Sequence, residues 1–162
     1  METFGLVVIG AGPGGYPAAI RAAQLGASVA LVEKEELGGT CLNWGCIPTK
    51  TLMSSSDLFA RRSSVEEMGL RAEGISYDYA AMRSRMEQVV GKLRNGVQRL
   101  MVSNGIRVCK GTASFVNRNR IVVNAEGESG DSPLVIGAAR TIIATGDESS
   151  MPSFLPHPCA AN

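Results

Sequence analysis

The chain has 162 residues, 44% of them hydrophobic and 19% charged, with a formal net charge of +1. That length fits one ordinary domain with a real core, and the balance excludes an acidic or basic tail, a polyanion binder and a disordered segment. Arg61-Arg62 and the Arg83/Arg85 pair are read as solvated helix faces, not as a nucleic-acid surface.

FGLVVI, residues 4–9, is a short apolar run ending in glycines, the pattern of a strand buried on both faces. Residues 16–25 follow as an Ala-rich helix that Gly26 is placed to end. SVALV, residues 28–32, is a second buried strand closing on Glu33, so the first two strands are expected to be parallel neighbours with a right-handed crossover. After a cysteine-bearing segment, residues 51–62 are read as a helix. Asp78 can N-cap a longer helix whose apolar face is Tyr79, Met82, Met86, Val89, Leu93, Val97 and Leu100, stopped at Asn104-Gly105. Gly91 and Gly96, taken as exposed, weaken that helix, so packing must hold it.

From Ile106 the hydrophobic period shortens. IRVC, ASFV and RIVV are short strands, residues 127–132 a turn-rich tip, LVIG another strand, and TIIAT (141–145) the last. Residues 147–162, rich in Ser and Pro, carry no periodicity and read as an irregular tail or linker. No stretch approaches the ~18 apolar residues of a membrane span, and the start lacks the basic and apolar regions of a signal peptide. A cytoplasmic location without membrane attachment is expected. In that compartment a permanent disulfide is unexpected, and four cysteines are buried thiols, metal ligands or redox groups.

Gly10-Ala11-Gly12-Pro13-Gly14-Gly15 fits G-x-G-x-x-G between the first strand and the first helix. The first glycine makes a tight turn, the second admits a pyrophosphate, and the third lets helix and strand pack closely. Helix N–H groups and the positive dipole end favour the phosphates. Glu33 ends the second strand close to the ~20-residue spacing of a ribose ligand. The plainer alternative is a Gly-rich packing turn beside a surface glutamate.

GGTCLNWGCIPTK, residues 38–50, places Cys41 and Cys46 five positions apart. A regular helix would turn them to nearly opposite faces with Cα atoms roughly 8–9 Å apart, beyond the ~7 Å limit of a disulfide. If they bond, the intervening Leu-Asn-Trp-Gly is irregular, which Asn43 and Gly45 allow. Pro48 suits a first helical turn, which would put Cys46 near a helix N-terminus where a thiolate is stabilised. Spacing leaves open a redox pair, inert thiols or a metal site. Zinc is the poorest of these, because Cys109 and Cys159 form no second close pair and the sole histidine, His157, lies in the tail. A dinucleotide site just upstream favours the redox pair.

Together, VVIGAGPGGYPAAIRAAQLG, LVEKEELGGTCLNWGCIPTK, GTASF and TIIATG resemble the N-terminal FAD-binding part of the pyridine nucleotide-disulfide oxidoreductases, over residues 5–146. CLNWGCIPTK is most similar to the lipoamide branch; the glutathione and mercuric reductase branches read CVNVGCVPKK and CVNVGCVPSK. The resemblance implies an α/β fold: a Rossmann-like FAD-binding domain, residues 1–146, whose parallel sheet carries a small antiparallel β-meander. No metal ligand is expected, on the cysteine and histidine placement given above. Cys41 would exchange with a substrate dithiol and Cys46 would face the flavin as a redox-active disulfide pair. Gly10, Gly12 and Gly15, with Pro13 and Gly14 between them, would hold the FAD pyrophosphate. Glu33 would hold the adenosine ribose, with Lys34 beside it at the cofactor. Gly39 and Thr40 would line the cofactor, Lys50 would sit near the isoalloxazine ring, and Gly111 with Ala113 would stand on the adenine side. Thr145 and Gly146 match a second FAD-contacting turn, although Asp147 stands where the family usually has Ser.

The activity so implied is oxidation of dihydrolipoamide with reduction of NAD⁺. It belongs to a homodimeric parent that serves the lipoyl-bearing protein of a 2-oxo acid dehydrogenase complex. Members continue past the ATG turn into an NAD domain and end in a dimerisation domain with a His-Glu pair. His157 has no such motif around it. The present chain is therefore expected to be an incomplete FAD-binding domain, inactive alone, or half of a split flavoenzyme.

Overall fold

The computed structural model describes residues 1–64, 68–71, 74–125 and 133–147. Six strands form one mixed sheet in the order β3-β2-β1-β6-β5-β4. Strand β1 (Glu2–Ile9) runs parallel to β2 (Val29–Glu33) and to β6 (Leu134–Ile143), and β3 (Arg107–Lys110) adds parallel to the outer edge of β2. Strands β4 (Thr112–Asn117) and β5 (Arg120–Asn124) extend the sheet antiparallel beyond β6. The expected parallel sheet with an antiparallel meander is what forms.

Alternation along β1 and β2 feeds two cores. Val8, Val29 and Leu31 pack with Ala19 of helix α1 (Gly15–Gln24) and with Val97 and Met101 of helix α4 (Tyr79–Ser103). Phe4, Val7, Ala30 and Val32 point the other way, against Ile121, Val123, Ile136 and Ala138. The antiparallel strands thus close the face that the helices leave open. Burying each such aliphatic side chain contributes about 1.5–3 kcal/mol, so the central strands carry much of the stability.

Three expectations are corrected. LVIG and TIIAT are not two strands but one, β6, which ends at Ile143. Within β6 a Cβ on Gly137 would stand 2.8 Å from the Thr3 hydroxyl, so glycine makes room for the Thr3 side chain. Asn119 clamps the neighbouring residue, accepting from the Ala138 amide through its carbonyl and donating Nδ2 to the Ala138 carbonyl, each at 2.9 Å. Next, helix α3 (Cys46–Ala60) begins five positions before residue 51, because Pro48 fits a first turn opened by Gly45. Finally, α4 buries Val90, Val97 and Met101, while Tyr79, Leu93 and Leu100 are exposed and Gly91 and Gly96 are half-buried. The buried stripe is rotated from the expected one, since only the second half of the helix meets the sheet.

Asp78 does cap α4, accepting from the Ala81 amide at 3.1 Å, and Gly105 follows its end with φ +66°. The expected tip at 127–132, most of the tail, His157 and Cys159 lie outside the described residues. Among the described residues no helix is long and apolar enough to cross a membrane.

Candidate functional site

The end of β1, the start of α1 and the end of β6 meet at the glycine loop. Gly10 has φ +97°, and a Cβ there would collide with the Ala144 carbonyl. Gly15 is buried, and a Cβ on it would collide with the Gly10 carbonyl, so it seats the helix on the strand. Glu33, at the end of β2, fastens this loop to the next. Its Oε2 accepts from the Ala11 amide at 2.7 Å and its Oε1 from the Glu35 amide at 2.8 Å. Each carboxylate oxygen keeps a second lone pair for a hydroxyl.

The segment after β2 returns to the glycine loop. The Gly38 amide donates to the Ala11 carbonyl at 2.9 Å, and the Lys110 ammonium donates to the Glu35 carbonyl. Gly38 and Gly39 both have left-handed φ, +101° and +62°. Helix α2 (Gly39–Asn43) then carries Cys41, and after a break at Trp44-Gly45 helix α3 opens on Cys46. That break supplies the irregularity a bond requires: Cys41 and Cys46 form a disulfide with Cα atoms 4.7 Å apart. Cys46, the first residue of a 15-residue helix, stands where the dipole and open amides favour a thiolate.

Asn43 does more than allow an irregular backbone. It is 7% exposed and its side-chain hydrogen bonding is complete. Nδ2 donates to the Leu37 and Gly39 carbonyls at 3.1 and 3.0 Å. Oδ1 accepts from Arg94 Nε at 2.9 Å and Nη2 at 2.8 Å. Arg94 also stands 3.5 Å from the Glu36 carboxylate. Sequence reading misses Arg94, whose partner is 51 positions away, and also misses the wall formed by Trp44, Glu35 and Glu36. An apolar ring between two cysteines is the only signal the sequence offers for Trp44.

These parts enclose a cleft of about 790 Å³, within the usual size of ligand sites. It brings together Gly10, Gly12, Pro13, Gly14, Glu33, Lys34, Gly39, Thr40, Cys41, Cys46, Thr145 and Gly146. Gly111 and Ala113 line a smaller adjoining space of about 110 Å³, shared with Gly10, Glu33, Lys34 and Thr145. Gly15 lies behind the wall. Lys50 is exposed one turn along α3 from Cys46 and does not line the cleft. The cleft thus joins a glycine-rich helix N-terminus, a carboxylate and a disulfide in one lining. Such a helix N-terminus suits a pyrophosphate.

Comparison with known proteins agrees with this geometry. A family model described as pyridine nucleotide-disulphide oxidoreductase matches residues 4–159. The chain belongs to that family. It is 47% identical over 152 residues to the dihydrolipoyl dehydrogenase of Geobacillus stearothermophilus, covering 93% of this chain and 31% of that protein. It is 45% identical over 147 residues to the dihydrolipoyl dehydrogenase of Chlamydia muridarum, covering 91% and 30%. Among solved structures it is similar to the Cu(II) complex of the HOCl-induced flavoprotein disulfide reductase RclA from Escherichia coli. That likeness has a TM-score of 0.77 and 29% identity, over 94% of this chain and 31% of the other. The family member described here therefore spans about a third of the length of these relatives.

Proposed function

We propose that this chain is the FAD-holding, disulfide-bearing part of a dihydrolipoamide-oxidising enzyme that reduces NAD⁺. One observation carries the reading: the Cys41–Cys46 disulfide lies on the wall of the same cleft as the glycine loop and Glu33. The relatives, both dihydrolipoyl dehydrogenases, supply the substrate class. In the longer protein the partners are a second copy and the lipoyl-bearing protein of a 2-oxo acid dehydrogenase complex.

Each group of residues has its own part. Gly10, Gly12, Pro13 and Gly14 offer a helix N-terminus to the pyrophosphate, Glu33 offers a carboxylate to the ribose, and Gly39, Thr40, Thr145 and Gly146 shape the walls. A substrate thiolate attacks the Cys41 sulfur, forming a mixed disulfide and releasing Cys46 as a thiolate at the start of α3. The second substrate thiol, once deprotonated, attacks its own sulfur in the mixed disulfide and releases Cys41. The substrate leaves as a cyclic disulfide and the cysteine pair holds the two electrons. Bound flavin supplies the two-electron chemistry that passes them on to NAD⁺ in the longer protein.

The first test is the visible spectrum of the purified chain, before and after anaerobic addition of a dithiol. A flavin spectrum that gains a long-wavelength band on reduction supports contact between Cys46 and FAD. Trp44, the single tryptophan, lines the cleft, so quenching of its emission during FAD titration gives an independent readout. A colourless chain whose Trp44 emission does not respond to FAD overturns the reading for this length of chain.

A further inference from the structure

The two cysteines sit on different helices, and both helices rest on α4. Helix α2, which carries Cys41, is tied to α4 by the paired donation of Arg94 to Asn43 Oδ1. Helix α3, which opens on Cys46, packs along α4, where Arg85 donates to the Thr51 carbonyl at 3.5 Å. Trp44 and Gly45 between them leave regular helix, the Trp44 amide donating to the Thr40 carbonyl of α2 at 2.9 Å and the Gly45 carbonyl accepting from the Thr49 amide of α3 at 3.1 Å. Asn43 is two residues from Cys41 and spends its other hydrogen bonds on Leu37 and Gly39, the residues that lead into α2.

We infer that Arg94 is a positioning residue for the redox pair. Through Asn43 it holds Cys41 in register with Cys46 when the pair is reduced as well as when it is bonded. The guanidinium is well shaped for this, because its Nε and Nη2 meet a single oxygen from a fixed plane, an arrangement that a lysine ammonium cannot reproduce. The Arg94–Glu36 pair, with side chains 36% and 43% exposed, is a weak tether by comparison. Two thiols kept in register close readily, so the dithiol form is strongly disulfide-forming. Loss of Arg94 frees α2 from its platform, lowers the effective concentration of one thiol at the other, and makes the disulfide easier to reduce.

This inference rests on the redox reading above, and its test separates the two. The 162-residue chain is equilibrated anaerobically over graded ratios of reduced to oxidised dithiothreitol, quenched with acid, alkylated and counted by mass. Arg94→Met is expected to lower the disulfide-forming equilibrium constant roughly tenfold, about 30 mV for a two-electron couple. Arg94→Lys is expected to recover only part of that. Arg83→Gln, which removes an exposed pair with Glu87 elsewhere on α4, is expected to leave the constant unchanged. A residue that merely supports the fold would lower the melting temperature and leave this constant alone. A folded Arg94→Met chain with the wild-type constant overturns the inference. If Arg94→Met does not fold, an unchanged constant in Arg94→Lys overturns it equally. A wild-type pair that never exchanges at any ratio overturns the redox reading, and the inference falls with it.

Discussion

Gly39 passes Gly12 so closely that a Cβ on Gly39 would stand 2.7 Å from the Gly12 Cα. Two glycine turns, one from the phosphate-type loop and one from the cysteine segment, therefore touch backbone to backbone across the floor of the cleft. Gly39 also holds φ +62°, a conformation that costs a side-chain-bearing residue roughly 1–2 kcal/mol.

Gly39→Ala is accordingly expected to destabilise the chain by about 2–3 kcal/mol, combining strain and clash. That corresponds to a fall of roughly 5–10 °C in melting temperature for a chain of this size. It should also weaken the quenching of Trp44 by FAD, because the two loops can only separate. Gly14→Ala is the control: Gly14 has φ −85° and a Cβ there meets nothing within 4 Å. Equal losses of melting temperature at the two positions in the flavin-free chain would contradict the close approach as the cause.

Glu33 gives a second prediction, because its two oxygens serve two amides. Glu33→Gln keeps one acceptor but turns an NH₂ toward the other N–H, leaving that donor unpaired at a cost of about 1–3 kcal/mol. Loss of the ribose contact alone would weaken FAD binding without touching stability. The double role predicts that both fall, with thermal unfolding of the flavin-free chain as the readout. An unchanged melting temperature in Glu33→Gln would show that the Ala11 and Glu35 contacts carry little.

The parts legible in the sequence are those whose cause is local. The glycine loop, the β1-α1-β2 unit and the N-terminal placement of Cys46 each follow from a few neighbouring residues. What stays hidden depends on distant partners. Gly137 looks like a strand end until Thr3 is seen against it, and Arg94 looks like a solvated charge until Asn43 is placed. The buried face of α4 departs from the expected one because periodicity gives the apolar stripe but not which half of the helix reaches the sheet. Lys50 follows from the motif and stands exposed on α3 one turn beyond Cys46.

Helix position and exposure together predict which thiol reacts first. In the disulfide-bonded structure Cys46 is exposed at the start of α3, while Cys41 is half-buried on α2, and the same helices are expected to carry the two thiols in the reduced, flavin-free chain. Brief iodoacetamide treatment near neutral pH should therefore label Cys46 ahead of Cys41, by severalfold on the thiolate argument. Added FAD should slow labelling of Cys46 more than that of Cys41. Peptide mass mapping distinguishes them: preferential labelling of Cys41 without FAD would overturn the thiolate argument, and stronger protection of Cys41 than of Cys46 by FAD would reverse the proposed division of roles.

Cys109 predicts a pH dependence separate from the redox pair. Its side chain lies in the core beneath β3, 5% exposed, among Val32, Ala30 and Val123. Burial pushes its thiol pKa up, only partly countered by Arg107, whose charge and hydrogen bond favour the thiolate. A raised folded-state value favours the protonated form. The stability it contributes is therefore complete below the ordinary thiol pKa, about 8.5, and is lost as the pH climbs through the folded value. The wild-type melting temperature should fall more steeply above about pH 9 than that of Cys109→Val, which cannot ionise. Near neutral pH the folded protein should show Cys109 closed to alkylation even after Cys41 and Cys46 have been reduced and labelled. Parallel alkaline limbs in the two proteins would mean that the Cys109 thiol ionises in the core as easily as in the unfolded chain.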